Sequence, residues 1–317
     1  MKHCSRDSGR SLDGADPARG RQMEIKRIGF VGLGLMGSGM VKNLLAAGFP
    51  VIGYDSDPGK MDVLAGKGFQ KAGSPEDIAP LADVIILSLP NSRVVNEVVK
   101  DSLKLFERGA KGLILIDTTT ADPVLSGELA AGLKEAGIEM LDAAVSGTSK
   151  MCAERNVTLL VGGTEETFGK CGPVFSALGR QTFYMGKNGT GAAAKLIVNL
   201  VLGLNRMALA EGLCLAGKAG MDLHRTLEVL KGSAAYSSAM DQKGLKMIEK
   251  DFLPPEGKLS FHLKDVGLML DLGHRVNAPL ILSSLHAQAL RSEVAKGRGE
   301  WDNADIISFY EDLANAH

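Results

Sequence analysis

The chain is poor in the features that mark several common functions. It has one tryptophan and only 5% aromatic residues, too few to build stacking platforms for unpaired bases. Its 36 Lys and Arg nearly balance 37 Asp and Glu, for a net charge of -1, so nothing in the totals attracts nucleic acid or an anionic membrane. The four cysteines, Cys4, Cys152, Cys171 and Cys214, are scattered and form no C-x-x-C pair. That scatter argues against a metal site and against a disulfide framework, and suits a reducing, cytoplasmic setting. No stretch reaches the ~20 uninterrupted apolar residues of a membrane span. The nearest, LIVNLVLGL at 196–204, is short and broken by Asn199.

What remains is the composition of a globular protein, 45% hydrophobic and 23% charged, with 317 residues for one or two domains. Residues 1–23 are polar, with no apolar run for a secretory signal and with Asp7, Asp13 and Asp16 against a transit peptide, so a disordered extension is expected. From 24 to 188, short apolar runs alternate with helical patterns. RIGFVG (27–32), VIGYD (51–55), VIILSL (84–89), LILID (113–117), IEMLDAAV (138–145) and NVTLLVGG (156–163) read as strands covered on both faces. The expectation is a doubly wound α/β Rossmann sheet with parallel strands. After Gly186 the strand signal stops. Residues 190–220 read as one long helix, N-capped by Thr190 and ending at Gly220, and the chain to 317 is helical. An all-α C-terminal domain, 189–317, is thus expected, joined to the Rossmann domain by that helix.

Within GFVGLGLMGSGM (30–41), Gly32, Gly34 and Gly37 fit G-x-G-x-x-G. Among 39 glycines the pattern alone says little, but here a strand precedes it and a helix follows. Asp55 ends the next strand, at the distance expected of a ribose-binding carboxylate. Gly32 would permit the tight turn, Gly34 the approach of a pyrophosphate, and Gly37 close helix–strand packing. The whole turn, including Leu33, Leu35 and Met36, is the expected cofactor cradle, with free N–H groups at the helix start. Asp55 can bind both ribose hydroxyls of NAD and would repel a 2′-phosphate. Lys60 follows it but no arginine does, so NAD is favoured over NADP.

Four separated segments together resemble the β-hydroxyacid dehydrogenase family, which includes 3-hydroxyisobutyrate dehydrogenase and tartronate semialdehyde reductase. They are the glycine turn, DAAVSGTSKMCAERNVTLLVGG (142–163), GTGAAAKLIVN (189–199) and FHLKD (261–265). LPNSRVV (89–95) and IDTTTADP (116–123) are similar as well. The resemblance implies Lys195 as general acid/base, with Asn199, four residues on and so on the same helix face, holding the lysine and the substrate hydroxyl. Burial or a nearby cation would have to lower the lysine pKa toward neutrality. Ser146, Gly147 and Thr148 are implied to bind a substrate carboxylate. Lys264 would reach back over the cofactor, and Leu89, Pro90, Asn91 and Thr120 would line its nicotinamide side. Read without the family, Lys264 and Asp265 would be a solvated pair. Arg206 shares the face of Lys195, but about 16 Å of helix rise separates them, too far for the same site, so it reads as an ion-pair or interface residue.

The departures concern the substrate. Thr148 stands where the family usually has a second glycine, Met151 and Arg155 where it favours small residues, and Tyr236 at a place usually small. Thr148 and Tyr236 are therefore expected to narrow or polarise the pocket, and Lys150 and Arg155 offer a second anion contact. The implied function is an NAD-dependent interconversion of a small carboxylate-bearing β-hydroxy acid and its aldehyde or ketone. An NADP-dependent reductase of the same fold, including an imine reductase, and a non-catalytic scaffold are the alternatives; Lys195 speaks against both of the latter. A helix that is apolar nearly all round needs a partner surface, so a homodimer or homotetramer is expected.

Overall fold

The structure, a computed structural model, describes residues 25–66, 68–108 and 111–315. The expected extension at 1–23 lies outside them. The strands are β1 (Ile28–Val31), β2 (Val51–Tyr54), β3 (Phe69–Lys71), β4 (Val84–Leu87), β5 (Ile114–Asp117), β6 (Glu139–Ser146), β7 (Thr158–Gly162) and β8 (Gln181–Gly186). Helices α1 (Leu35–Ala46), α2 (Pro58–Leu64), α3 (Ser92–Glu97), α4 (Leu105–Arg108), α5 (Pro123–Glu135), α6 (Ser149–Ala153), α7 (Glu165–Lys170) and α8 (Gly172–Leu178) connect them. The rest is helical: α9 (Thr190–Lys218), α10 (Leu223–Lys231), α11 (Ser238–Glu249), α12 (Leu259–Arg275), α13 (Ile281–Glu293) and α14 (Ile306–Ala314).

The strands form one sheet in the order β3-β2-β1-β4-β5-β6-β7-β8. The chain winds outward from β1 in one direction and then returns past it in the other, so the order reverses between β1 and β4. A crevice opens there at the carboxyl ends of the strands. Apolar residues dominate β1, β4 and β5, and every residue in them is buried, because both faces are covered. Met40, Val41 and Leu44 of α1 and Phe175 and Leu178 of α8 pack on one face. Val95, Val99, Leu129 and Leu133 pack on the other.

Two edge strands escaped the sequence reading, and one orientation differs from it. β3 has a single buried residue, and β8 exposes Phe183, Tyr184 and Met185, so neither carries the apolar run of a central strand. β7 runs antiparallel to β6. The connection 147–157 is too short for a crossover, which needs a dozen or more residues, so the chain doubles back.

α9 is long and apolar enough to cross a membrane by length and composition. Here it begins against β6 and β7 and continues through the helical cluster, packing on α11, α12 and α14. Thr190 is its first residue and not its cap. The cap is Gly189, at φ +88, where a Cβ would stand 2.4 Å from the Pro123 carbonyl oxygen. The unpaired amides of the first turn are met from the sheet: Asp142 of β6 accepts from Gly189 N–H at 2.8 Å and from Ala192 N–H at 2.9 Å.

Candidate active site

Two of the three glycines in the first turn are demanded by the chain itself. Gly32 has φ +95, and a Cβ there would meet the Ser88 carbonyl oxygen at 2.3 Å; one on Gly37 would meet the Gly32 carbonyl oxygen at 2.0 Å. Over Gly34 there is open space, with nothing within 4 Å of a Cβ. Gly34 caps α1 without a side-chain bond, so the amides of Leu35, Met36 and Gly37 lack intrahelical partners. Leu33 is buried, and its N–H donates to Asp55 Oδ2 at 2.7 Å. Asp55 Oδ1 accepts from Asp57 N–H at 2.9 Å and from the Lys60 ammonium at 3.1 Å. Burial pushes the Asp55 pKa up, but the bonds from Asp57, Leu33 and Lys60 outweigh it and leave the carboxylate below its ordinary range. Bare backbone, free amides at a helix start and an ionised carboxylate at the next strand end fit a dinucleotide.

Beyond this turn lie two adjoining clefts. The smaller, about 310 Å³, sits at the sheet's switch point and is lined by Met36, Leu89, Pro90 and Thr120, with Lys264 reaching in from α12. Lys264 Nζ donates to the Pro90 carbonyl oxygen at 3.2 Å and ties the helical part to the β4–α3 turn. The larger cleft, about 1220 Å³, is lined by Ser146, Gly147, Thr148 and Tyr236. Lys195, Asn199 and Gly147 border both. The clefts thus gather the expected acid/base pair, the Ser146–Thr148 turn and most of the expected nicotinamide-side residues, while Gly32, Leu33, Gly34, Leu35, Gly37 and Asp55 are not among the residues lining them.

Lys195 is 7% exposed and has no hydrogen bond or ion pair among the described residues. Burial lowers its pKa from 10.5 to about 8; the Asp265 carboxylate opposes that shift and the Arg206 guanidinium adds to it. Asn199 Nδ2 donates to Asp265 Oδ2 at 3.1 Å, which fixes the amide and leaves its oxygen free to accept. A buried amine with a pKa near neutrality, beside a fixed amide, can give and take a proton.

Asn91 is not among the residues lining either cleft; its side chain accepts from Val94 N–H at 3.0 Å as the cap of α3. Thr148 caps α6 by accepting from Met151 N–H at 3.2 Å, and the Tyr236 hydroxyl donates to Asp241 Oδ2 at 2.6 Å. Neither Lys150 nor Arg155 reaches the larger cleft. Arg155 takes φ +57, where the family has small residues, and its guanidinium donates to the Ser176 carbonyl oxygen at 2.8 Å.

The family model for the NAD binding domain of 6-phosphogluconate dehydrogenase matches residues 27–186. That for the NAD-binding domain of NADP-dependent 3-hydroxyisobutyrate dehydrogenase matches 189–310. The chain belongs to the β-hydroxyacid dehydrogenase family. As a member it is an oxidoreductase that acts on CH–OH groups and binds NAD or NADP. It is 31% identical to 2-(hydroxymethyl)glutarate dehydrogenase of Eubacterium barkeri over 90% of this chain and 95% of that one. It is 32% identical to human mitochondrial 3-hydroxyisobutyrate dehydrogenase, over 89% of this chain and 86% of that one. Among solved structures, 3-hydroxyisobutyrate dehydrogenase of Salmonella typhimurium superposes with a TM-score of 0.81 at 27% identity, over 89% of this chain and 99% of that one. An imine reductase of Myxococcus stipitatus, at 21% identity and a TM-score of 0.60 over 90% of this chain and 99% of that one, shares the fold.

Two residues of this β-hydroxyacid dehydrogenase were given no part in the site from the sequence. Asp265 is no solvated partner of Lys264; its carboxylate is largely buried, holds Asn199 and stands 3.2 Å from the Lys264 ammonium. Arg206, set aside as too distant, lines the larger cleft together with Lys195 and is 6% exposed. Helix rise alone fixes only the Cα positions; the guanidinium at the end of the long side chain is near enough for its charge to bear on the Lys195 ammonium.

Proposed function

We propose that the protein is an NAD-dependent dehydrogenase that interconverts a small β-hydroxy acid and its aldehyde or ketone, with Lys195 as general acid/base. The observation that carries this reading is Lys195 itself, buried at the wall common to both clefts with a pKa of about 8. In the oxidation direction neutral Lys195 accepts the substrate hydroxyl proton as the carbonyl forms, and in reduction the ammonium returns it. The Asn199 amide oxygen accepts from the hydroxyl or the ammonium and keeps the two in line. The hydroxyl of Ser146 and the backbone at Gly147 and Thr148 hold the substrate carboxylate, which aims the reacting carbon at the smaller cleft. A nicotinamide held there, beside Leu89, Pro90 and Thr120, would supply the hydride acceptor or donor. The glycine turn would hold its pyrophosphate and Asp55 its adenosine ribose. The charge on Asp55 supports NAD over NADP.

The setting proposed is cytoplasmic, in keeping with Cys152, Cys171 and Cys214, which are free and buried. A homodimer or homotetramer is proposed from the apolar side chains that α9 leaves exposed, Ile197, Val201 and Leu215. The test is NADH formation at 340 nm across a panel of β-hydroxy acids, with NADP in parallel and Lys195→Ala beside the wild type. Turnover of one acid that disappears in the variant supports the reading. Intact NAD binding with no turnover of any acid refutes it. Sedimentation at micromolar concentration checks the assembly, and a single monomeric species would contradict it.

A further inference from the structure

Arg206 is a buried cation without a partner. It makes no hydrogen bond and no ion pair within 4 Å among the described residues, although it is 6% exposed. The carboxylates whose charge it feels are engaged elsewhere. Asp302 accepts from the Lys243 ammonium at 2.9 Å, from Glu256 N–H at 2.8 Å and from Ala304 N–H at 2.9 Å. Asp265 bonds Asn199 through Oδ2 and faces the Lys264 ammonium at 3.2 Å through Oδ1, which has no hydrogen bond among the described residues. The nearby rings give no counter-charge either. His262 and His286 lie with ring centroids 5.1 Å apart, tilted by 51°, against Gly203, and burial together with the charge of Arg206 holds both imidazoles neutral. Burying a guanidinium with nothing to receive its five donors is costly, and a fold keeps such a group where a ligand completes it.

The place of that ligand is the larger cleft: Arg206 lines it together with Lys195 and the Ser146–Gly147 turn. One carboxylate is already provided for at that turn. We propose that Arg206 is a specificity-determining residue that binds a second carboxylate, so that the substrate is a β-hydroxy dicarboxylic acid. The guanidinium fork matches a carboxylate with two parallel bonds, which a neutral group cannot replace. Arg206 shares the cleft with Lys195, and its charge bears on the Lys195 ammonium, so the second carboxylate belongs on a short carbon chain beyond the reacting carbon. This inference rests on the reading of Lys195 as the acid/base, which fixes where the reacting carbon lies.

The experiment compares 2-(hydroxymethyl) dicarboxylic acids of about four to six backbone carbons with analogues whose distal carboxylate is a neutral amide. The wild type is expected to favour each diacid in kcat/KM by roughly a hundredfold, as for a desolvated charge pair. In Arg206→Met that ratio collapses toward one, and Arg206→Lys retains part of it. Equal kcat/KM for diacid and amide in the wild type overturns the proposal, as does a preference that survives in Arg206→Met. Because removal of a core residue can cost the fold, a second measurement uses the wild type alone: competitive inhibition by unreactive dicarboxylates and by their monoamides. Tighter inhibition by the diacids supports the subsite, and equal inhibition overturns it. Should no hydroxy acid be oxidised although NAD binds, the reading of Lys195 has failed, and titration of the same dicarboxylates and monoamides still decides the role of Arg206.

Discussion

Replacing Asp265 with asparagine should move the working pH of the enzyme without touching Lys195. The lysine pKa of about 8, against an ordinary 10.5, corresponds to about 3 kcal/mol. At pH 7 that shift raises the neutral fraction from about 0.03% to about 9%, which is the difference between an idle base and a usable one. Asp265 works against it, since a carboxylate stabilises the ammonium. Its Oδ2 is bonded to Asn199, one turn from Lys195, so the carboxylate stands roughly 7 Å from the ammonium. With an effective dielectric of about 20–40, its removal is worth about 1.2–2.4 kcal/mol, or roughly 0.9–1.7 pH units. Oxidation requires the neutral amine, so the rate rises as pH passes the lysine pKa. In Asp265→Asn the rising limb of kcat should move to lower pH by about one unit, and the amide oxygen can still accept from Asn199. In Arg206→Met it should move to higher pH, because that cation disfavours the ammonium. The assay is NADH formation at 340 nm from pH 5 to 10, with the best acid at saturation. Limbs that stay in place in both variants, or a limb that persists in Lys195→Met, would refute the assignment of the base.

The buried lysine should also weaken the fold at neutral pH. Below pH 8 it is charged in both native and unfolded chains and carries its full burial cost; the cost is relieved as pH rises from about 8 to 10.5. Lys195→Met should therefore abolish turnover yet raise the urea midpoint at pH 7, by up to about 3 kcal/mol in stability, with the gain shrinking at pH 10. Gly34→Ala meets no atom of the chain, so its unfolding midpoint should hold within about 1 kcal/mol while NAD binding by fluorescence titration weakens at least about tenfold. Gly37→Ala drives a methyl group into the Gly32 carbonyl and should cost about 3 kcal/mol or more in the same denaturation assay. Asp55→Asn should raise the KM for NAD about tenfold and narrow the gap to NADP; an unchanged cofactor ratio would remove Asp55 from recognition.

What the sequence made legible follows burial. β1, β4 and β5 announce themselves because both faces are covered and nearly every residue is apolar. β3 and β8, at the two edges, need no such run and carry none. Lys195 and Asn199 could be paired because a helical spacing of four residues is local geometry. Asp265 could not be placed, since its role depends on α12 lying against α9, a contact between residues 66 apart. Arg206 was misread because rise per residue fixes a Cα and leaves open the end of a long side chain. Asn91 was assigned to the cofactor by likeness, while the local capping chemistry of asparagine describes where its side chain points.

Asp142 gives the molecule a mechanical property that its order of elements conceals. Its carboxylate grips the first turn of α9, and Gly191 packs so closely that a Cβ would lie 2.4 Å from the Asp142 carbonyl oxygen and 2.5 Å from that of Leu160. The helix that carries Lys195 is thereby welded to β6 and β7. The place where the strands end and the helices begin is thus no hinge, and the base and the sheet travel as one rigid piece. Any closing of the clefts has to come from elements farther along, with α12 and its Lys264 the nearest that could swing. A chimera that exchanges the helical half between relatives has to carry the sheet's end of this joint with it, or the lysine will be delivered out of register with the strands that orient its substrate.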